Sequence, residues 1–594
     1  MRIRLDESLA YILERNARSV PNYPVAIFGD KRLMWGEFDK RANQLAHALL
    51  EMGIRKGDRI GIMLYNDRCF EYLETTFAAW KIGAVPVDVN YRYLSSEIEY
   101  VVEDSDATTF VFQDEFTEQI KKADIKKVKN YICVGKNGLS DIPEYEELIN
   151  RYSTDRPKIE YELKADDVAT QTYSGGTTGF PKGFFWRNET YTKFFIYAAK
   201  SDFAQNLGDL FMNAPESLFK TIGSMISLPS IGRILSHDFI RKFVGYLPPA
   251  IVGKTTELAW PIISQFIPYF LGGRLRILAA GSLMHGWADI VAWTAESLGG
   301  AAVFLIGRSF DPEELWETVE KKKVNVVAVI GETQCVPMAD VLDRKHYDLS
   351  SLMVIMTSGM YVSPDTKKRL HKHIPHMLFG ESFAGTETVT TNVAISTSGD
   401  EGIERSAFKI TDSCQVWNDK NEPVKPGEEG EIAKLCLDGQ PYEIYKKPEK
   451  TAETYRKIDG KIWIFTGDRA TVDEKGRIIF IGRGSSCINT GGEKVYAEEV
   501  ENIIEGHPKV KGAGVVGVPD KRWGEAVTAV IQLKEGEKAT EDEIRDFCRD
   551  KIAGYKIPKR VIFVEKDLPR LITEELDKKK IKEIAEEKVL GKIR

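Results

Sequence analysis

Hydrophobic and polar positions alternate between two periods along the first part of the chain. Residues 36–52 (GEFDKRANQLAHALLEM) place apolar side chains three and four apart, as one face of a helix requires, whereas residues 58–63 and 84–89 are short β-branched runs. Helix and strand signals taking turns in this way predict βαβ units and a mostly parallel sheet. The rhythm returns with strands expected at 301–306, 324–330 and 352–356. Asp311 followed by Pro312 opens the intervening helix, an N-cap acid with proline at the first helical position. Beyond residue 410, Gly- and Pro-rich turns (KPGEEGE, VDEKGR) separate short strands, which predicts a smaller antiparallel sheet. Past Arg483 the pattern becomes a compact α+β unit, with helices at 497–505 and 541–551 and strands at 512–518, 526–533 and 561–564. At roughly 110 residues it is long enough to form its own domain. The chain therefore divides into an α/β part at residues 1–483 and a smaller α+β part at 484–594.

Residues 205–270 fit this pattern less well, being apolar, proline-interrupted and poor in charge (SMISLPSIGRIL, AWPIISQFIPYFLGG). Extra helices that cap the core are the expected reading; a lid over an apolar tunnel, or a patch resting on a membrane surface, is the alternative. The first 20 residues read as an amphipathic helix rather than a targeting segment, because Asp6 and Glu7 stand where a signal peptide needs apolar residues. No charge-free window is long enough to suggest a transmembrane helix.

Composition narrows the function classes. With 594 residues, 43% hydrophobic and 29% charged, the chain can fill more than one core, and disorder is excluded as a general description. A net charge of −7 gives no electrostatic footprint for nucleic acid, so a small diffusible substrate is expected. Seven cysteines without a CxxC pair read as reduced thiols of a cytoplasmic protein, not as a zinc site.

The strongest chemical signal is residues 172–183 (TYSGGTTGFPKG). Gly175, Gly176 and Gly179 let a loop bend so that backbone N–H groups converge, Ser174, Thr177 and Thr178 add hydroxyls, and Lys182 adds a charge: the makings of a polyphosphate cradle. A Walker A loop is excluded because Phe180, Pro181, Lys182 and Gly183 replace its Gly-Lys-Ser/Thr ending, and the glycine spacing does not match a dinucleotide fingerprint.

Residues 174–183 resemble the phosphate-binding loop of the adenylate-forming superfamily, which includes acyl-CoA synthetases, firefly luciferase and peptide-synthetase adenylation domains. Further segments follow the superfamily's order: residues 81–107 its early segment, 357–360 (TSGM) its adenine-pocket turn with Gly359, 383–387 (FAGTE) its aromatic-Gly-x-Thr-Glu motif, and 463–468 (WIFTGD) with Gly482 and Arg483 its ribose-binding set. The resemblance implies a large N-terminal domain of mixed, mostly parallel sheets with helices and a small antiparallel subdomain, followed by a mobile α+β C-terminal domain. It also implies ATP, Mg²⁺ and coenzyme A. Glu387 with the Thr178 hydroxyl would hold Mg²⁺, Thr386 would contact the AMP phosphate, Phe383 would stack on adenine, and Asp468 and Arg483 would bind the ribose. His285 would lie at the substrate carboxylate; read by itself, a histidine among apolar residues is as readily a packed core residue.

Residues 482–501 (GRGSSCINTGGEKVYAEEVE) resemble the superfamily's hinge, near Ser485, and its glycine turn along the pantetheine tunnel, at Gly491 and Gly492. The wording of this segment, of residues 284–286 and of the phosphate loop is most similar to bacterial synthetases that activate fatty acids, steroid side chains or other bulky alkanoates. The chain departs from the superfamily near its end. Glu574 and Glu575 replace the Gly-Lys pair whose lysine bridges carboxylate and α-phosphate, with Lys578, Lys579 and Lys580 nearby. Ala384 and Asn489 stand where glycine and lysine are usual. The expected activity is ATP-dependent acyl-CoA ligation of an apolar, bulky acid through an acyl-adenylate. The alternatives are an acyl- and nucleotide-binding protein with impaired adenylation, motivated by Glu575, and an adenylate-forming enzyme that passes its acyl group to a carrier or oxidises it. Peripheral membrane contact through the apolar segment and a cytoplasmic location complete the expectations; the oligomeric state is left open.

Overall fold

The computed structural model describes residues 8–136, 142–174, 181–192, 216–225, 234–235, 237, 264, 266–358, 362–383, 385, 388, 392–398, 407–418, 420–436, 443–483, 487–569 and 576–591. Four sheets organise them.

The first sheet has six strands. Five run parallel in the order Asn130–Val134, Ala107–Gln113, Arg59–Met63, Val85–Asp88 and Val168–Ser174, and Lys182–Arg187 closes the edge antiparallel to the last. The helix expected at 36–52 forms over Trp35–Glu51 and buries Phe38, Leu45 and Leu49, at the helical spacing its sequence shows. The N-terminal helix Leu9–Ser19 buries Leu9, Leu13 and Ala17 against the same core.

The second sheet has eight strands, with a parallel centre flanked by antiparallel edges. Strand Pro24–Phe28 crosses into it and pairs with Ala301–Phe304, which in turn pairs with Arg276–Ala279, Val326–Ile330, Val354–Ser358 and Leu378–Phe383 in succession. Asp311 caps helix Pro312–Lys322 through a 2.9 Å bond from the Glu313 amide. Ser363 caps helix Pro364–His373, accepting from Thr366 N while its hydroxyl donates to Glu332 at 2.6 Å. Ser363→Ala is expected to lower stability by about 1 kcal/mol, read as a shift of the urea midpoint at unchanged slope.

The third sheet, from Ala407–Lys409 to Arg477–Arg483, is antiparallel throughout, as its turn-rich sequence predicts. The fourth carries the C-terminal α+β unit. The hairpin Cys487–Thr490 and Glu493–Tyr496 pairs with the long strand Gly524–Leu533, which pairs in turn with Val510–Asp520, and Arg560–Val564 joins Gly524–Leu533 in parallel. Helix Ala497–Glu505 lies where its sequence places it, burying Val500 and Ile504.

Most of the apolar segment at 205–270 lies outside the described residues. Its helix Glu216–Met225 packs Leu218 and Phe219 on Met353 and Leu378 of the eight-stranded sheet, so this part caps the core. Phe266, Tyr269 and Phe270 are exposed. Among the described residues no helix is long and apolar enough to cross a membrane.

Candidate active site

Parallel strands expose their carboxyl ends to the loops that follow, and open α/β sheets bind ligands there. Here the ends of two sheets meet at one cavity of about 1370 Å³. Asp88 and Asn90 come from the six-stranded sheet, and Ile330, Ser358 and Ser382 from the eight-stranded one. Ligand pockets are typically about 300–1,000 Å³, so this cavity has room for more than one small reactant.

The sequence-derived phosphate loop leaves strand Val168–Ser174 and returns as Lys182–Arg187, with Ser174 directly opposite Lys182. The neck is fixed further by the Tyr100 hydroxyl, which donates to the Pro181 carbonyl at 3.2 Å. Gly175, Gly176, Thr177, Thr178 and Gly179 lie outside the described residues, as do Gly359, Thr386 and Glu387. Phe383 ends strand Leu378–Phe383, next to Gly385 and Thr388, which line the cavity and brace each other through a 3.0 Å bond from Gly385 N to the Thr388 hydroxyl. Among the described residues no group of three or more His, Cys, Asp or Glu is arranged to hold a metal. The donors implied for Mg²⁺, a carboxylate and a hydroxyl, are the hard oxygen ligands that this ion takes.

Asp468 and Arg483 are 15 positions apart in sequence but face each other in register on adjacent antiparallel strands. Asp468 is buried, with its amide donating to the Thr466 hydroxyl at 3.3 Å. The fold thus brings the two ribose candidates together.

His285 is the N-cap residue of helix Gly286–Ser297 and lines the cavity. Its Nε2 lies 3.1 Å from Oε1 of Glu493, which also pairs with Arg92. Glu493 follows the Gly491–Gly492 turn, so a C-terminal carboxylate is held by Arg92 and His285 of the N-terminal part. Burial opposes its charge, but His285 and Arg92 outweigh burial and hold its pKa below the ordinary value. Lys556 makes a second clamp, 2.7 Å from both Glu97 and Glu499. Burial disfavours its ammonium, yet the two carboxylates raise its pKa. Sequence reasoning passed over Glu493, Arg92 and Lys556. Each lies in or beside a segment that reasoning did quote, but nothing in a linear pattern pairs residues 401 positions apart.

Gly491 and Gly492 both have positive φ, +60° and +85°, and close the hairpin. A Cβ on Gly492 would stand 2.5 Å from the Ile330 side chain, and one on Gly491 would stand 2.9 Å from Trp523. Both glycines line the cavity, so backbone rather than side chain forms its wall there. Gly492→Ala, which sets a Cβ against Ile330 at positive φ, is expected to slow turnover about tenfold through overpacking of this wall, read as a lower steady-state rate with the fold retained by circular dichroism.

The cavity also holds two acids that the sequence did not single out. Tyr72 donates to Asp88 at 2.7 Å and reaches Asp289 as well. Burial pushes the Asp289 carboxyl up to about 7. Burial and the neighbouring charge of Asp289 push Asp88 well above the carboxylate range.

Comparison with known proteins gives a consistent result. The model of the AMP-binding enzyme family matches residues 13–218 and 252–440, and that of the AMP-binding enzyme C-terminal domain matches 499–574. A medium/long-chain-fatty-acid–CoA/3-oxocholest-4-en-26-oate–CoA ligase of Mycobacterium tuberculosis is 31% identical over 565 residues, 94% of this chain and 92% of its own. A 3-oxocholest-4-en-26-oate–CoA ligase of Rhodococcus rhodochrous is 30% identical over 572 residues, 94% and 92% of the two chains. Among solved structures, an amide bond synthetase from Marinactinospora thermotolerans superposes with a TM-score of 0.72 at 19% identity, covering 96% of this chain and 99% of its own. An o-succinylbenzoate CoA synthetase from Bacillus subtilis gives 0.71 at 20% identity, covering 97% and 99%.

Proposed function

Because the chain belongs to the AMP-binding enzyme family, we propose that it is an AMP-forming acyl-CoA synthetase for an apolar, long or bulky carboxylic acid. The observation that carries this reading is the Gly491–Gly492 turn. A C-terminal hairpin presses a side-chain-free wall against Ile330 at the cavity to which both parallel sheets converge. The fatty-acid and steroid-acid ligases among its relatives support the substrate class.

In the first step a carboxylate oxygen attacks the α-phosphorus of ATP, forming an acyl-adenylate and releasing pyrophosphate. Two anions must approach, so the phosphate loop with Ser174, Thr177, Thr178 and Lys182 has the task of spreading the charge, and Asp468 and Arg483 that of fixing the ribose. Thr178 and Glu387 would hold Mg²⁺, which would supply further charge neutralisation. By the family resemblance, Phe383 and Gly359 would border the adenine and Thr386 would contact the phosphate. In the second step the CoA thiol reaches the acyl carbon past Gly491 and Gly492, the C–S bond forms, and AMP leaves with the carboxylate-derived oxygen. The arrangement described above suits this second step. Rotation of the domain from residue 484 onward about a hinge near Ser485 would present the other face for the first, a hinge-type change; Ser485 itself lies outside the described residues. His285, held by Glu493, serves in this reading to line the path of the thiol and fix the docked hairpin.

Glu575 favours a restricted form of the alternative: adenylation slowed by an acid where the family has a lysine, with the thioester step intact. The reading also includes a cytoplasmic location with peripheral lipid contact at Phe266, Tyr269 and Phe270, supported by their exposure. The test is pyrophosphate release with ATP, Mg²⁺ and a panel of medium-chain, long-chain, aromatic and steroid-side-chain acids, with and without CoA. Turnover requiring both CoA and an apolar acid is expected; ATP binding with no release for any acid would overturn the enzyme reading.

A further inference from the structure

Arg92 and His285 hold one carboxylate, Glu493, from two different sheets. Arg92 follows strand Val85–Asp88 of the six-stranded sheet, whereas His285 follows strand Arg276–Ala279 of the eight-stranded one. A two-sided hold works only if the sheets keep a fixed spacing at that point, because a misplacement of about 1 Å can cost a step roughly 100-fold. Neither residue sets that spacing by itself.

Asn66 is placed to set it. It opens the short turn Asn66–Arg68 after strand Arg59–Met63, on the six-stranded side, and lines the cavity. Its Nδ2 donates to the Gly281 carbonyl at 2.9 Å and its Oδ1 accepts from the Leu283 amide at 3.0 Å, 215 and 217 positions away. A side-chain amide bonded to both a C=O and an N–H of one segment copies a β-bridge, fixing position and orientation together. The segment held is the loop that ends in His285, whose own amide donates to the Ser282 carbonyl at 3.0 Å.

Further contacts stiffen the clamp. The Tyr65 amide donates to the buried Gln113 side chain at 3.1 Å, which ties the residue before Asn66 to strand Ala107–Gln113. Arg308, from the loop after strand Ala301–Phe304, reaches across to Asp67 at 2.9 Å and Glu115 at 2.7 Å. The Tyr72 hydroxyl reaches the Leu283 carbonyl at 3.3 Å.

We propose that Asn66 is a positioning residue for the thioester step. It sets the Gly281–His285 loop against the six-stranded sheet, so that His285 and Arg92 meet Glu493 together and the hairpin of Gly491 and Gly492 docks. The proposal rests on the acyl-CoA synthetase reading for the step affected, and on the contacts alone for the docking.

The experiment reads the full chain with Asn66→Ala in two ways. In rapid-quench traces, acyl-CoA formation from the bound adenylate is expected to slow about 30-fold, while pyrophosphate release changes about threefold or less. In a Glu493→Ala background the same substitution should add about threefold or less, because the hold that Asn66 positions is already gone. In hydrogen exchange of the ligand-free protein, amides of residues 487–496 should exchange about tenfold faster, with those of residues 107–113 unchanged. If Asn66→Ala does not fold, Asn66→Asp is read the same way; it keeps the volume and the acceptor for Leu283 but loses the donor to Gly281. Equal loss in both half-reactions, losses that multiply with Glu493→Ala, or exchange raised equally in both segments would overturn the proposal. Faster exchange confined to 487–496 in a chain that makes no thioester would remove the synthetase reading and leave the docking role standing; thioester formation indifferent to Asn66→Ala would do the reverse.

Discussion

Replacing Glu493 with alanine is expected to slow thioester formation by about 100-fold while adenylate formation falls far less. Glu493 is 9% exposed and is held by His285 at 3.1 Å and by Arg92. Removing one partner of a buried ion pair costs roughly 3–5 kcal/mol. The partial exposure of the His285 and Arg92 side chains, 34% and 42%, puts the cost at the low end. That cost falls on the docked hairpin, which the thiol step needs, so rapid-quench traces should show a pyrophosphate burst followed by slow acyl-CoA appearance. The pH dependence has a definite sign. The folded pKa of Glu493 lies below its ordinary value of 4.5, so its contribution is complete above 4.5 and is lost only as the pH falls through the lowered value. Between pH 6 and 8 this carboxylate should therefore leave no step of its own in the rate profile.

Restoring a cation at the end of the chain should act on the other half-reaction. Glu575→Lys is expected to accelerate adenylate formation about 100-fold, the usual worth of one fixed charge at a developing transition state. Glu575→Gln should give a smaller gain, because it removes repulsion without adding attraction. Two of the neighbouring lysines are engaged elsewhere: Lys578 is paired with Glu501, and Lys580 lies 3.4 Å from Asp577. Single-turnover pyrophosphate release at saturating acid reads both variants. An unchanged rate in Glu575→Lys would mean that the native tail already supplies the charge.

Local structure was legible wherever a single period dominates. The helix at 497–505 and the strand pattern around 512–533 follow from apolar residues that alternate or recur within a few positions, and Asp311–Pro312 marks a helix start by its own chemistry. Sheet membership was not legible. Pro24–Phe28 has the same β-branched character as the strands that follow it, but its partner is Ala301–Phe304 in the other sheet, a choice made by packing across the domain. Of the residues that the compact motifs single out, Asp468 and Arg483 are cross-strand neighbours, a pairing that follows from strand register rather than from either motif. The contacts between the two halves of the chain were not legible. Glu493 meets His285 208 positions away, and Lys556 meets Glu97 459 positions away, so each reads as an ordinary surface charge until the fold pairs it. Asp88 and Asp289 were missed for the same reason: one ends a strand, the other starts a helix, and only the cavity makes them a pair.

The central claim is that this chain joins an acid to a thiol through an acyl-adenylate. The most direct measurement is the fate of ¹⁸O from a substrate acid labelled in both carboxylate oxygens, followed through one turnover with ATP, Mg²⁺ and CoA. Attack of the carboxylate on the α-phosphorus, then departure of AMP from the acyl carbon, places one labelled oxygen in AMP and none in pyrophosphate. Label in inorganic phosphate with ADP as the second product, or acyl-CoA formed with unlabelled AMP, would contradict the account.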